Sequence, residues 1–192
     1  EIDEDGRSAY ADASREKLEA TRWIREGHEW CRRRLRLLPA AGREGGVELL
    51  DVGSCTNPLG QGGSAASQEE ELRVTAFDVC PRHPSVWQGD ATRLKVLPQG
   101  SRLARDGGSL LGLPACSFDA CLFSMVLHHL PLREQVACLR IARKLLVEDG
   151  QLLILENRAW EGEAAVERAG FRAEARERIK KSPLRALAFV KE

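Results

Sequence analysis

The chain carries no net charge: 29 Lys and Arg offset 29 Asp and Glu across 192 residues. Nucleic-acid-binding domains usually show a basic excess, so composition gives no push toward that class of partner. No run approaches the roughly 18 apolar residues that a membrane-spanning helix needs, and the acidic, polar start carries no signal-peptide pattern. The six cysteines, at 31, 55, 80, 116, 121 and 138, form no Cys-x-x-Cys pair and no His–Cys cluster at zinc spacing. No metal is expected. Several of the cysteines lie in apolar runs, as buried free thiols do, which points to a reducing compartment and a cytoplasmic location. No internal repeat is visible.

Apolar residues make up 43% of the chain, enough for one α/β core plus a small extra element. Residues 9–38 read as helix, because Trp23, Trp30 and Leu37 recur every seven residues beside Ile24, Cys31, Leu35 and Leu38. Pro39 and the glycines at 42, 45 and 46 stop it. Apolar runs then predict strands at Val47–Val52, Arg73–Phe77, Val86–Gln88, Phe118–Ser124 and Gln151–Glu156. Helices are expected over 65–72, Arg133–Leu146 and Trp160–Ala169, with 95–117 irregular around a short helix near Leu103. Phe171–Arg178 and Leu184–Lys191 read as a closing hairpin across Lys180–Pro183. Alternating strands and helices followed by a hairpin imply an α/β, doubly wound, mostly parallel sheet with an antiparallel strand at its end. The division expected is a helical region at 1–42 and a sheet domain at 43–192.

Val-Glu-Leu-Leu-Asp51-Val-Gly53-Ser54 brings a buried strand and its acid to a turn where glycine allows close approach of a ligand. Twenty-five residues beyond Gly53, Asp78 ends the next strand, where a carboxylate accepts both hydroxyls of a nucleoside ribose. One glycine where Gly-x-Gly-x-x-Gly has three argues against a pyrophosphate, but S-adenosylmethionine (SAM) has no phosphate. Gly89-Asp90 after the short third strand would place a carboxylate near an adenine amino group, or form a simple turn. Ser124 and the segment Met125–Pro131 follow a strand at the carboxyl edge of the sheet, where ligands of open α/β folds sit. There His128 or His129 is a candidate general base, but no orienting partner is visible and loop packing with helix entry is the reading favoured. Arg32-Arg33-Arg34 with Arg36 reads as the solvated face of a helix or as a contact for an acidic protein.

The series Leu-Leu-Asp51-Val-Gly53, Phe77-Asp78, Gly89-Asp90 and Phe118-Asp119-Ala-Cys-Leu-Phe-Ser124-Met-Val-Leu-His-His-Leu-Pro resembles the class I SAM-dependent methyltransferases. More narrowly, Asp51-Val-Gly-Ser-Cys-Thr-Asn-Pro58 with Phe77-Asp78-Val-Cys-Pro81 resembles the family shared by SAMTOR and the yeast-type large-subunit rRNA adenine-N1 methyltransferases. Gly27-His-Glu-Trp30-Cys31, Leu145-Leu146-Val, Gly170-Phe171 and Leu187-Ala-Phe189 extend the likeness. It implies a Rossmann-like fold with a seven-stranded, mostly parallel sheet, helices on both faces and a short N-terminal helical region. It also implies SAM or S-adenosylhomocysteine over the carboxyl ends of the strands, with Gly53 and Asp78 at the positions that hold it. The cofactor contacts expected are Gly53, Ser54, Asp78, Val79, Asp90, Ala91 and Ser124.

Three functions stand at this point. The resemblance implies a SAM sensor whose occupancy releases it from the GATOR and KICSTOR complexes that restrain mTOR complex 1. An active methyltransferase is the alternative, on an rRNA adenine or another substrate, with a nuclear or nucleolar location. In that case catalysis is mostly positioning, and the absence of Asn-Pro-Pro-Tyr after the fourth strand says little. A nucleotide-cofactor oxidoreductase is disfavoured by the single glycine.

Overall fold

In the computed structural model, residues 22–42, 45–56, 59, 72–179 and 183–191 are described. They form helix α1 (Arg22–Leu35), a short 3-10 turn (Pro39–Gly42), and strands β1 (Val47–Val52), β2 (Leu72–Asp78) and β3 (Val86–Gln88). Three short strands follow, β4 (Lys95–Leu97), β5 (Ala104–Asp106) and β6 (Ser109–Pro114), and then the central strand β7 (Phe118–Ser124). A 3-10 turn at Leu127–His129 leads into α2 (Leu132–Leu145) and β8 (Leu146–Asn157). Helix α3 (Glu163–Arg168) and strands β9 (Phe171–Arg178) and β10 (Leu184–Lys191) complete the chain.

One sheet of ten strands runs β4-β6-β3-β2-β1-β7-β8-β10-β9, with β5 paired to β6. The stretch from β3 to β9 supplies the expected seven strands. β3, β2, β1, β7 and β8 are parallel, while β10 runs antiparallel to both β8 and β9. The remaining three strands correct the irregular reading of 95–117, and no helix forms near Leu103. The signal there is Asp106-Gly107-Gly108-Ser109: a two-residue Gly-Gly turn, Gly107 at φ +56°, closes the β5–β6 hairpin with Asp106 opposite Ser109.

Alternation along the central strands feeds two apolar layers. Leu50, Val52, Cys121, Phe123, Leu152 and Ile154 point to one face, where Cys138, Leu139, Ala142 and Leu145 of α2 and Ala165 and Val166 of α3 cover them. Leu49, Ala120, Leu122, Leu153 and Leu155 point to the other, covered by Trp30, Cys31 and Leu35 of α1 together with Leu38. Each large side chain buried this way contributes about 1.5–3 kcal/mol. Gly27 lets α1 approach closely: a Cβ there would lie 3.1 Å from Leu155 Cδ1.

Several expectations are corrected in detail. Leu37 is 71% exposed and lies beyond the end of α1, off the apolar stripe. Arg34 is not solvated: it bonds Gln151 Oε1 and Glu174, tying α1 to β8 and β9. Helix α2 passes directly into β8, so Leu146 is a buried strand residue and Gly150 lies inside the strand. Helix α3 is shorter than expected because Trp160 turns inward to donate its indole N–H to Gln135 Oε1 at 3.2 Å. The helix expected over 65–72 overlaps the described residues only at Leu72, which begins β2, and the Lys180–Ser182 turn and residues 9–21 lie outside them.

No described helix is long and apolar enough to cross a membrane. No group of metal-binding side chains occurs among the described residues.

Candidate functional site

β1 lies between β2 and β7, with Val52 paired to Phe77 on one side and Phe123 on the other. Three adjacent parallel strands therefore end together, and Gly53, Asp78 and Ser124 follow those paired positions. This is the edge on which open α/β sheets take their ligands.

The β1 turn is built around Gly53, at φ +72°. A Cβ on Gly53 would lie 2.1 Å from Val126 Cγ2, so the turn after β1 and the loop after β7 touch where only glycine fits. The N–H groups of Gly53 and Ser54 both donate to Phe77 O, at 2.9 and 3.2 Å, fastening the turn to β2. Asp51, one residue before the end of β1, is almost wholly buried. Its Oδ2 accepts the Ser54 hydroxyl at 2.7 Å, while its Oδ1 is buried without a partner. Burial pushes its carboxyl up to about 7; the Ser54 hydrogen bond opposes that and the Asp78 charge adds to it. A buried oxygen with no donor is costly unless something else supplies one.

Asp78 is half-buried, and both its oxygens take backbone donors: Cys80 N–H to Oδ1 at 2.7 Å and Cys55 N–H to Oδ2 at 3.1 Å. Burial raises its carboxyl, against those two hydrogen bonds and the Arg82 charge. The amides hold the carboxylate at the strand tip and leave each oxygen a further lone pair. Val79 is exposed. Gly89 N–H donates to Asp78 O at 2.9 Å, bringing Asp90 and half-buried Ala91 beside the same tip. Asp90 Oδ1 accepts the Thr92 N–H and hydroxyl at 2.8 and 2.7 Å, and Oδ2 lies 3.4 Å from Arg93 Nε. The fold thus gathers all seven candidate residues along one edge, with Asp90 partly committed to its own turn. Asn57 and Pro58 lie outside the described residues.

Two residues important here were absent from the sequence-based list. One is Asp51. The other is Glu156, fully buried near the end of β8. Its Oε1 accepts Leu127 N–H at 2.7 Å and His128 N–H at 3.4 Å, and its Oε2 lies 2.7 Å from His128 Nδ1. The histidine thus has the orienting partner that its local sequence did not show. The available signal was an acid closing an otherwise apolar strand, Leu152-Leu-Ile-Leu-Glu156. The turn that carries His128 begins just after Met125, held at φ +59° with its N–H on Leu155 O at 2.8 Å. Such backbone strain concentrates at functional loops.

A concave surface of about 520 Å³ lies on the outer side of α2, lined by Leu132, Arg133, Val136, Ala137, Arg140 and Arg168. Its lining contains neither an acid nor a nucleophile.

A family described as "Methyltransferase domain" matches residues 50–154. The chain is 33% identical over 121 residues to the zebrafish (Danio rerio) "S-adenosylmethionine sensor upstream of mTORC1"; the match covers 58% of this chain and 29% of that protein. The chain therefore spans under a third of the length of this curated relative. Among solved structures it resembles the N-methyltransferase NodS from Bradyrhizobium japonicum in complex with S-adenosylhomocysteine, at 15% identity and TM-score 0.63, covering 93% of each chain. It also resembles a putative methyltransferase in complex with the Trm112 activator from Haloferax volcanii, at 14% identity and TM-score 0.57, covering 95% of this chain and 96% of that one. At these identities the structural likeness speaks for the fold.

Proposed function

The chain belongs to the methyltransferase-domain family, whose ligand is SAM, and we propose that it uses this ligand as a signal. SAM fills the carboxyl edge of β1, β2 and β7, and a partner protein reads its occupancy. The observation that carries the ligand assignment is the buried, unpartnered Oδ1 of Asp51 beside the glycine turn. SAM brings an ammonium and a sulfonium, and the ammonium supplies the donor that this oxygen lacks. The Asp78 carboxylate accepts the ribose hydroxyls, and Asp90 with Ala91 flanks the adenine. Gly53, Ser54, Val79 and Ser124 line the path between them.

The sensing role is supported by the 33% identity to the zebrafish sensor over 121 residues. By that similarity the signal lies upstream of mTOR complex 1; the proposed partner, taken from the family resemblance of the sequence, is a regulatory complex of the GATOR or KICSTOR type, and the proposed location is cytoplasmic. The helical region at 1–42 is the element proposed to pass on the change, because Arg34 ties α1 to β8 and β9. A ligand shifts such an equilibrium only through differential affinity for its two states. The test is calorimetric titration with SAM and S-adenosylhomocysteine, with and without the purified partner complex. Tight SAM binding that weakens partner association is the expected result; SAM binding without any effect on the partner would remove the sensor.

Within this reading, Asp78→Asn is expected to weaken SAM binding by roughly 10- to 100-fold, because a charge-assisted pair of hydrogen bonds is lost. The asparagine keeps one oxygen for the Cys55 or Cys80 amide and turns its NH2 toward the other donor, so a stability loss of about 1 kcal/mol is expected as well. An unchanged Kd would remove Asp78 from the site.

Methyl transfer is the second reading, and the contact of His128 with Glu156 is the observation that favours it.

A further inference from the structure

We infer that the outer face of α2 anchors an acidic, amphipathic segment of a partner protein. The inference rests on the sensing reading only for which protein carries that segment, and it names the chemistry of the contact.

Helix α2 has two unlike faces. Gln135, Cys138, Leu139, Ala142 and Leu145 are buried toward the sheet. On the outer face Leu132 and Val136 lie one turn apart, with Ala137 beside Val136. These three form the floor of the concave surface of about 520 Å³. Leu132 is 50% exposed, while the other two leucines of the helix, Leu139 and Leu145, are almost wholly buried. A single exposed leucine is ordinary. An apolar floor in a concave surface with a charged rim is the pattern of an interaction site.

The rim is basic throughout. Arg133 and Arg140 stand two turns apart on α2, and Arg168 closes the groove from the end of α3, where its carbonyl accepts Arg140 Nη2 at 3.5 Å. Among the described residues none of these three guanidiniums has an ion pair, although Glu134 and Glu167 adjoin Arg133 and Arg168 in sequence. Arg176 and Arg185, by contrast, share Glu163. A chain with no net charge thus places three cations without counter-ions around one apolar floor.

That charge selects the occupant. A guanidinium presents a planar fork that takes a carboxylate through two parallel hydrogen bonds. Carboxylates two turns apart on a partner helix reach Arg133 and Arg140, while the apolar side chains between them cover Leu132, Val136 and Ala137. A simple anion would leave the floor in water, and a nucleic acid calls for a longer basic track than three residues. Helix α1 covers the opposite face of the sheet, so a partner anchored on α2 leaves the helical region free to answer SAM.

The experiment uses the whole chain and two labelled helical peptides of about 15 residues. Both carry Leu along one face, flanked by Glu in one peptide and by Lys in the other. The Glu peptide should bind saturably below about 1 mM and shift amide resonances of α2 and of the end of α3, and the Lys peptide should not. Arg133→Glu with Arg140→Glu should weaken the Glu peptide at least about 10-fold and strengthen the Lys peptide. Leu132→Ser should weaken the Glu peptide with the rim charge unchanged. All three residues are exposed and away from the strand edge, so SAM titration of the same variants should be unchanged and reports that they fold. No saturable binding of the Glu peptide overturns the inference, as does equal binding by the charge-reversed variant. Heparin bound as tightly as the Glu peptide, with Leu132→Ser undiminished, also overturns it, because the face would then be a general polyanion surface. A chain that docks the Glu peptide but does not bind SAM removes the sensing reading and keeps this surface.

Discussion

Gly53→Ala is expected to abolish SAM binding and to destabilise the fold as well. The sequence alone suggests a purely functional position, at which alanine would leave the fold intact. The structure adds two costs. Gly53 sits at φ +72°, where a side chain costs on the order of 1–3 kcal/mol. The new methyl would also meet Val126 Cγ2 at 2.1 Å, well inside contact distance. Val126 has little room to retreat, because its loop is held by Met125 N–H on Leu155 O and by Glu156 on Leu127 and His128. A loss of about 2–4 kcal/mol by urea titration is expected, with SAM affinity reduced at least 100-fold. Gly53→Ala with Val126→Ala separates the causes. Removing the valine methyls relieves the contact and should restore part of the stability, leaving about 1 kcal/mol of backbone cost. If the double variant also regains SAM binding, the ligand needs the space and not the turn conformation. Undiminished SAM affinity in Gly53→Ala would remove the turn from the site.

This contact marks the boundary of what was legible beforehand. β1, β3, β7, β9 and β10 follow their apolar runs, since a strand buried on one or both faces writes its period into local sequence. The order of those strands, with the closing hairpin, was enough for the sheet. Three short strands beyond β3 escape the pattern because β4 and β5 are only three residues long and β6 contains Gly112 and Pro114, leaving the Gly107-Gly108 turn as their only strong mark. At the edge itself, Gly53, Asp78 and Asp90 are visible because each is defined by its own strand end. The relations among them are not. Val126 meets Gly53 across 73 positions of chain, and Glu156 meets His128 across 28. Pairings of that kind arise from parallel strand order, which brings distant termini together. No local pattern records them. Asp51 is visible in sequence as the acid delivered to the glycine turn, but only burial shows that one of its oxygens has no partner, which is what makes it a ligand contact.

That oxygen sets the pH dependence of both stability and binding. Burial pushes Asp51 up to about 7 from an ordinary 3.8. Between those values the folded chain holds a proton that the unfolded chain has released. Stability from this group is therefore fully present at low pH and is lost as pH rises through about 7. At about 1.4 kcal/mol per pH unit, the loss between pH 5 and 8 is roughly 2–3 kcal/mol. Burial raises Asp78 and Glu156 too, with the same sign, so the informative quantity is the difference between wild type and Asp51→Asn. The variant cannot ionise here, and the downward slope of its unfolding free energy should flatten by about that amount. SAM should act in the opposite sense. Its ammonium favours the ionised carboxylate, so wild-type affinity should rise as pH passes through about 7, while Asp51→Asn loses that rise. The ligand's own α-amino group loses its charge at about pH 7.7–8, so the two calorimetric profiles are compared below that range. Parallel profiles would mean that the ammonium lies elsewhere. A diverging pair, equal at about pH 5.5 and separated at about 7.5, would place the methionine end of SAM on Asp51 and orient the ligand along the edge toward Asp78.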